Sequence, residues 1–234
     1  MEVVSMKRSR GEDSFVNLPA FAARLYDSMM QSPATKMQYK EIAQDLVSRM
    51  ENGRLLDIGT GPGYLLREIH KLNPNIELFG LDISNVMVEQ AKRNLTDIHV
   101  DLQCGNIIAT KCKSGYFDLI TCSGSFYLWD NPIESLEEIY RILKNGGAAY
   151  LYETHRDIDK QSLSQKMREN LKGDHLIRRF LAPRFFIRQI SMTYTKKEII
   201  EIIEKTSFKD SSKIEEITIF NLPVWLRIKL EKCI

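Results

Sequence analysis

The sequence predicts a doubly wound α/β fold on a mostly parallel sheet. Apolar stretches of strand length alternate with segments of helical periodicity from residue 54 to residue 153. The first strand runs into a glycine-rich turn that opens a helix, Leu55-Leu56-Asp57-Ile58-Gly59-Thr60-Gly61-Pro62-Gly63. The chain of 234 residues is long enough for one sizeable α/β domain, with at most a small insertion.

Two helices are expected first, over about 19–30 and 36–50. The second places Ile42, Leu46, Val47 and Met50 on one face, with Gly53 as its stop. Strand 54–60 leads to helix 64–72, where Leu65, Leu66, Ile69 and Leu72 share a face. Strand 77–83 leads to a helix over about 85–95, which Ser84 can cap. Strand 99–105 follows, then strand 117–123 and helix 132–143. That helix has Asn131 as N-cap, Pro132 at its first position and Glu134 in a capping-box-like place. Lys144-Asn145-Gly146-Gly147 ends it, and strand 148–153 comes next.

The pattern then changes. Residues 156–194 are basic and aromatic, with Arg178, Arg179, Phe180, Arg184, Phe185, Phe186 and Arg188. Thr195-Lys196-Lys197-Glu198 forms a capping box for a helix whose inner face is Ile199, Ile200, Ile202 and Ile203. Two strand candidates close the chain. Asn221-Leu222-Pro223 turns it, and Val224, Leu226, Ile228 and Leu230 alternate with Trp225, Arg227, Lys229 and Glu231. A closing hairpin on the parallel sheet is expected.

Hydrophobic content of 43% and charged content of 27% are those of an ordinary globular protein. A net charge of +2 gives no reason to expect DNA or an anionic membrane surface as partner. No apolar run approaches the roughly 18 residues of a membrane span. Residues 1–13 lack the apolar stretch of a signal peptide, so 1–18 read as a flexible tail and 19–234 as one domain, in the cytoplasm. Cys104, Cys112, Cys122 and Cys233 lack metal-site spacing, and no metal is expected. Cys104 and Cys122 should pack as small hydrophobes; a thiol relay would need the cysteines to converge in space.

The turn carries the chemistry. Gly59, Gly61 and Gly63 allow ligand to approach bare backbone at a helix N-terminus, a nucleotide-binding crevice of Rossmann-like type. Their spacing is not the Gly-x-Gly-x-x-Gly of dinucleotide binders, and Asp57 sets a negative charge inside the motif. A pyrophosphate is repelled by that charge and a cationic ligand attracted. The motif resembles motif I of the class I S-adenosylmethionine-dependent methyltransferases, in particular the small-molecule enzymes of menaquinone and ubiquinone biosynthesis. The resemblance covers about 36–154 well and 195–234 loosely, and says little about 1–18 and 156–194. It implies a seven-stranded sheet with only the last-paired strand antiparallel, a helical N-terminal extension and an insert after strand five.

It also implies a site. Asp82, 19 residues past Gly63, matches the family's ribose-binding acid; a helix cap is its structural alternative. Asn106 and Ile107 stand where the family contacts adenine, with asparagine for the commoner aspartate, and an ordinary turn asparagine is the alternative. Ile83 and Met87 are candidates for the other apolar wall, or for the core. Ser123, in Ser123-Gly124-Ser125-Phe126-Tyr127-Leu128-Trp129, stands where the family holds the methionine moiety and faces the acceptor. Tyr127 and Trp129 face the acceptor or pack in the core. The Asn/Asp-Pro-Pro-Tyr/Phe motif of amino-methylating enzymes is missing, which weighs against an exocyclic or amide nitrogen acceptor. His155 is the candidate general base, with an exposed loop histidine as the alternative. Tyr26 resembles an aromatic that closes the cofactor site.

The resemblance thus implies in-line transfer of a methyl group from S-adenosylmethionine to a small molecule. The arginines of 156–194, a lid over the acceptor, favour an acidic or phosphorylated one, or else form a solvated basic face. A nicotinamide-dependent oxidoreductase and a non-catalytic partner subunit are the alternatives. RNA methylation is disfavoured by the near-neutral charge.

Overall fold

The structure is a computed structural model that describes residues 33–170, 183–184, 186–219 and 221–233. Helix α1 (Pro33–Val47) precedes β1 (Gly53–Ile58), α2 (Tyr64–Leu72), β2 (Ile76–Asp82), α3 (Asn85–Asn94) and β3 (Val100–Cys104). Then come β4 (Phe117–Ser123), α4 (Pro132–Ile142), β5 (Leu143–Thr154), α5 (Lys160–Asn170), α6 (Lys196–Ile203), β6 (Ser212–Ile219) and β7 (Leu222–Glu231). The expected tail 1–18, the helix 19–30 with Tyr26, and Arg178, Arg179, Phe180 and Phe185 lie outside the described residues.

The seven strands form one sheet in the order β3-β2-β1-β4-β5-β7-β6. β1 to β5 pair in parallel, and β7 runs antiparallel to both β5 and β6. The chain leaves β1 toward β2 and β3, then returns to place β4 on β1's other side. This topological switch opens a crevice at the carboxyl ends of β1 and β4. One face of the sheet packs Leu56, Ile58, Ile120, Cys122 and Leu151 against α4 and α6. The other packs Leu55, Leu119, Tyr150 and Tyr152 against α1 and α2.

Several local expectations are corrected. Helix α1 stops at Val47, and Gly53 starts β1 instead; its φ of +112° and the Asp118 carboxylate 2.8 Å from where a Cβ would stand both require glycine. β5 begins at Leu143, with an irregular register before Leu119 pairs Ala148, so the glycine pair lies in the strand rather than before it. Ile199 and Ile203 are buried in α6, but Ile200 is exposed, because the buried stripe is narrower than four isoleucines. Leu222 and Pro223 already belong to β7. Trp225 is buried although it sits on the alternating polar face, because β7 is an inner strand covered on both sides. Cys104 is exposed, since β3 is an edge strand, whereas Cys122 is buried as expected.

Candidate functional site

The glycine turn is fixed by backbone hydrogen bonds to the neighbouring strand. The N–H groups of Gly59 and Thr60 both donate to the Leu81 carbonyl, at 2.8 and 3.1 Å, and that of Gly63 donates to Thr60 at 2.9 Å. The three glycines have different neighbours. A Cβ on Gly59 would meet the Ser125 hydroxyl, and one on Gly63 would stand 2.7 Å from Leu95 Cδ1, so these two let β4 and α3 close in. A Cβ on Gly61 would meet nothing within 4 Å, leaving the middle of the turn as bare, open backbone.

Asp82 joins this turn to the next two strand ends. One carboxylate oxygen accepts the Gly61 N–H at 2.8 Å and the other accepts the Ser84 N–H at 2.9 Å. Its carbonyl accepts the Gly105 N–H at 2.9 Å. Burial raises its pKa, and the two N–H groups lower it in part. Asp57 is only 2% exposed. Burial, reinforced by the Asp82 charge and offset in part by Thr60, pushes its carboxyl up to about 7. Ser84 does not cap α3 as expected: Asp82 takes its N–H, and its hydroxyl stays buried with no hydrogen-bond partner among the described residues. The Thr60 hydroxyl is buried too, beside the Asp57 carboxyl that it helps to keep ionised. Two buried carboxylates, the unpartnered Ser84 hydroxyl and an open glycine backbone therefore share one crevice, and they suit a ligand that is cationic and hydroxyl-rich.

Asn106 Oδ1 accepts the Ile108 N–H at 3.1 Å and caps a short 3-10 turn at 107–109. That is the turn geometry weighed against adenine contact, and it leaves the oxygen a second lone pair. Ile107 and Met87 are buried in the core, Ile83 is partly buried and Ile108 is exposed. Ser123 ends β4 half-buried. Trp129 is buried edge-on against Phe126, in the core rather than facing solvent. The Tyr127 hydroxyl accepts from Gln189 Nε2 at 3.3 Å, which brings the 186–190 helical stretch onto this turn.

His155 follows the last residue of β5 and is only 6% exposed, so it is not the exposed histidine of the alternative, and its Nδ1 has no partner among the described residues. Burial holds its pKa down, and the charges acting on it are Asp157, Glu216 and Lys196, not the carboxylates of the crevice. Sequence reasoning set Glu153 beside His155 at the ligand edge but gave it no role. It is 1% exposed, and burial pushes its carboxyl up to about 8. The signal was present as one acidic residue ending the apolar run Ala148-Ala149-Tyr150-Leu151-Tyr152.

Residues 56–151 match the sequence profile of the methyltransferase domain family. This match, to about two-fifths of the chain, supports the class I S-adenosylmethionine-dependent methyltransferase reading. S-adenosylmethionine is the methyl donor of that family. The ubiquinone/menaquinone biosynthesis C-methyltransferase of Geotalea uraniireducens is 29% identical over 121 residues, 50% of this chain and 52% of that one. The release factor glutamine methyltransferase of Flavobacterium psychrophilum is 26% identical over 220 residues, 88% of this chain and 70% of that one. The chain spans about half the length of the first relatives it matches, 58% and 42%. A crystal structure from Methanococcus maripaludis, of a protein assigned as an S-adenosylmethionine-dependent methyltransferase, superposes with a TM-score of 0.71 at 23% identity. It covers 92% of this chain and 94% of that one, and it shares the fold. No group of His, Cys, Asp and Glu among the described residues could hold a metal ion. No described helix is long and apolar enough to cross a membrane.

Proposed function

We propose that this methyltransferase binds S-adenosylmethionine in the crevice between β1 and β4 and moves its methyl group to a small-molecule acceptor. The observation that carries the reading is the open backbone of Gly61 set between buried Asp57 and Asp82. Asp57 supplies negative potential toward the ammonium and sulfonium. Asp82, whose oxygens keep lone pairs beyond the two N–H bonds they accept, takes the ribose hydroxyls. Ser123 borders the methionine end, and Ile83, Met87, Asn106 and Ile107 form the adenine side. The bound cofactor supplies a methyl already activated on sulfur, so the chain's work is to hold the acceptor in line and exclude water. Alignment of that kind accounts for about 7–11 kcal/mol of barrier.

The acceptor side comprises the Ser123–Trp129 turn and the insert 156–194, acting as a lid. The Gln189–Tyr127 hydrogen bond supports that placement. The release factor enzyme is named for glutamine, yet this chain has Ser123-Gly124-Ser125-Phe126 where an amide-nitrogen enzyme of the family carries Asn-Pro-Pro-Tyr. The quinone-biosynthesis relative is the better guide to acceptor size. Buried neutral His155 is the candidate base for an acceptor that enters protonated.

The test is calorimetric titration with S-adenosylhomocysteine and with NADH, followed by incubation of a metabolite extract with labelled S-adenosylmethionine. The expected result is micromolar binding of S-adenosylhomocysteine, none of NADH and a labelled small molecule. Binding of NADH alone favours the oxidoreductase. Cofactor binding with no labelled product favours the partner subunit.

A further inference from the structure

Glu153 lies in the last turn of an apolar strand, on the sheet face that Ala149 and Leu151 bury against α4 and α6. A carboxyl at such a place is costly unless its oxygens are satisfied. It makes no ion pair among the described residues. Its partners are backbone N–H groups. Oε1 accepts the N–H of Thr154 at 2.9 Å, and Oε2 accepts the N–H of Tyr127 at 3.3 Å, with the Phe126 backbone also bonded to it. The Gly124 N–H donates to the Tyr152 carbonyl at 2.9 Å, so the turn after β4 is tied to the end of β5 at two points. The Glu153 tie runs through a side chain, and the Gly124 tie through backbone alone.

The requirement is specific. Backbone N–H groups arrive at both oxygens, Thr154 at one and Tyr127 at the other, which a carboxylate satisfies on both sides. A glutamine would satisfy one and turn its own NH2 against the other. An aspartate is one carbon shorter. Above the pinned backbone, the Tyr127 side chain meets Gln189 of the insert.

We infer that Glu153 is a positioning residue, whose carboxyl pins the Gly124–Trp129 turn to the end of β5 and so sets the wall between cofactor and acceptor. The inference rests on the proposed methyl-transfer site for what the wall borders, but not for the pinning itself. Among the described residues, the titratable group that interacts with Glu153 is the Cys122 thiol on β4, which burial drives up and keeps neutral. The titration of the pin is therefore that of Glu153. Burial disfavours the ionised form and the N–H groups favour it, which sets the carboxyl to about 8.

Two measurements test it. In the first, amide resonances of the uniformly labelled wild-type chain are followed from pH 6 to pH 10. The N–H signals of Tyr127 and Thr154 should shift together with one midpoint near 8; flat signals overturn the inference. No variant is needed, so this result stands even if Glu153→Gln fails to fold. In the second, S-adenosylhomocysteine affinity is measured across the same pH range for wild type and Glu153→Gln. The variant should bind about tenfold more weakly at pH 9 and lose the wild-type dependence on pH. A variant that is less stable but keeps wild-type affinity and pH profile would show a merely structural carboxyl and sink the functional claim. A wild-type chain that binds no S-adenosylhomocysteine removes the claim about the wall and fails the proposed function, while the amide titration still decides the pinning.

Discussion

On the β1–β2–β3 side of the crevice, the ligand edge is held by hydrogen bonds from backbone N–H groups that all end on Leu81 or Asp82. Gly59 and Thr60 hang on Leu81, Gly61 and Ser84 on Asp82, and Gly105 on the Asp82 carbonyl. On the β4–β5 side, the edge is made by side chains distant in sequence. Glu153 reaches back 26 residues to Tyr127, Gln189 reaches back 62 to the same residue, and Arg156 ties the end of β5 to Thr193 and Glu198. The first kind of edge tolerates little change and suits a fixed cofactor. The second can be rebuilt by altering few side chains, which suits an acceptor that differs between relatives.

The largest effect should come from breaking the rigid edge. In Gly63→Ala, a Cβ at a φ of +81° costs about 1–2 kcal/mol. Its 2.7 Å approach to Leu95 adds about 1–3. The urea midpoint should fall by the equivalent of about 3 kcal/mol, and S-adenosylhomocysteine binding should be lost at concentrations that saturate wild type.

Both edges bury a carboxyl with a raised pKa, so they can be compared by pH. Between the unfolded and folded pKa values of such a group, the folded state holds more protons, and stability falls as pH rises. Asp57 acts over about pH 4–7 and Glu153 over about pH 4.5–8. At about 1.4 kcal/mol per unit, each contributes at most about 4–5 kcal/mol of lost stability. Denaturation at a series of pH values should therefore show wild-type stability declining from pH 5 to pH 8. Asp57→Asn should lessen the slope up to about pH 7, and Glu153→Gln should lessen it there too and flatten it between about pH 7 and 8. A profile that rises over this range would contradict both.

A smaller effect is expected at the back of the sheet. Asp45 on α1 accepts from Tyr152, Arg49 and Arg227, the last two at 2.6 and 2.7 Å. The group is half-buried, so Asp45→Ala should cost about 1–2 kcal/mol after screening. It should leave S-adenosylhomocysteine affinity unchanged. The exposed pair Lys197–Glu201 is 3.8 Å apart, and Lys197→Ala should not move the midpoint measurably.

The same contrast governs what the sequence made legible. α2 and β4 were read with their observed ends, and α4 to within one residue, because glycine turn, apolar run and Asn131-Pro132 are local signals. Asp57, Gly61 and Asp82 were placed at the turn and the strand ends for the same reason. Cys104 and Trp225 were misplaced because exposure depends on strand order, edge for β3 and interior for β7, which no local pattern encodes. Glu153 was placed at the ligand edge but given no role, because its partners approach from a distant turn. Ser84 looked like a cap until Asp82 proved to hold its N–H.

The insertion of β7 between β5 and β6 sets an order of events during synthesis. β6 leaves the ribosome before β7, yet its ladder pairs only with β7. Until residues 222–231 are made, β5 presents an open edge to a strand it must not capture. Lys213, Glu215 and Glu216 in β6 make that strand a poor premature partner for the apolar β5 edge. The charged outer strand thus guards the growing chain against a wrong register before it guards the finished protein against its neighbours.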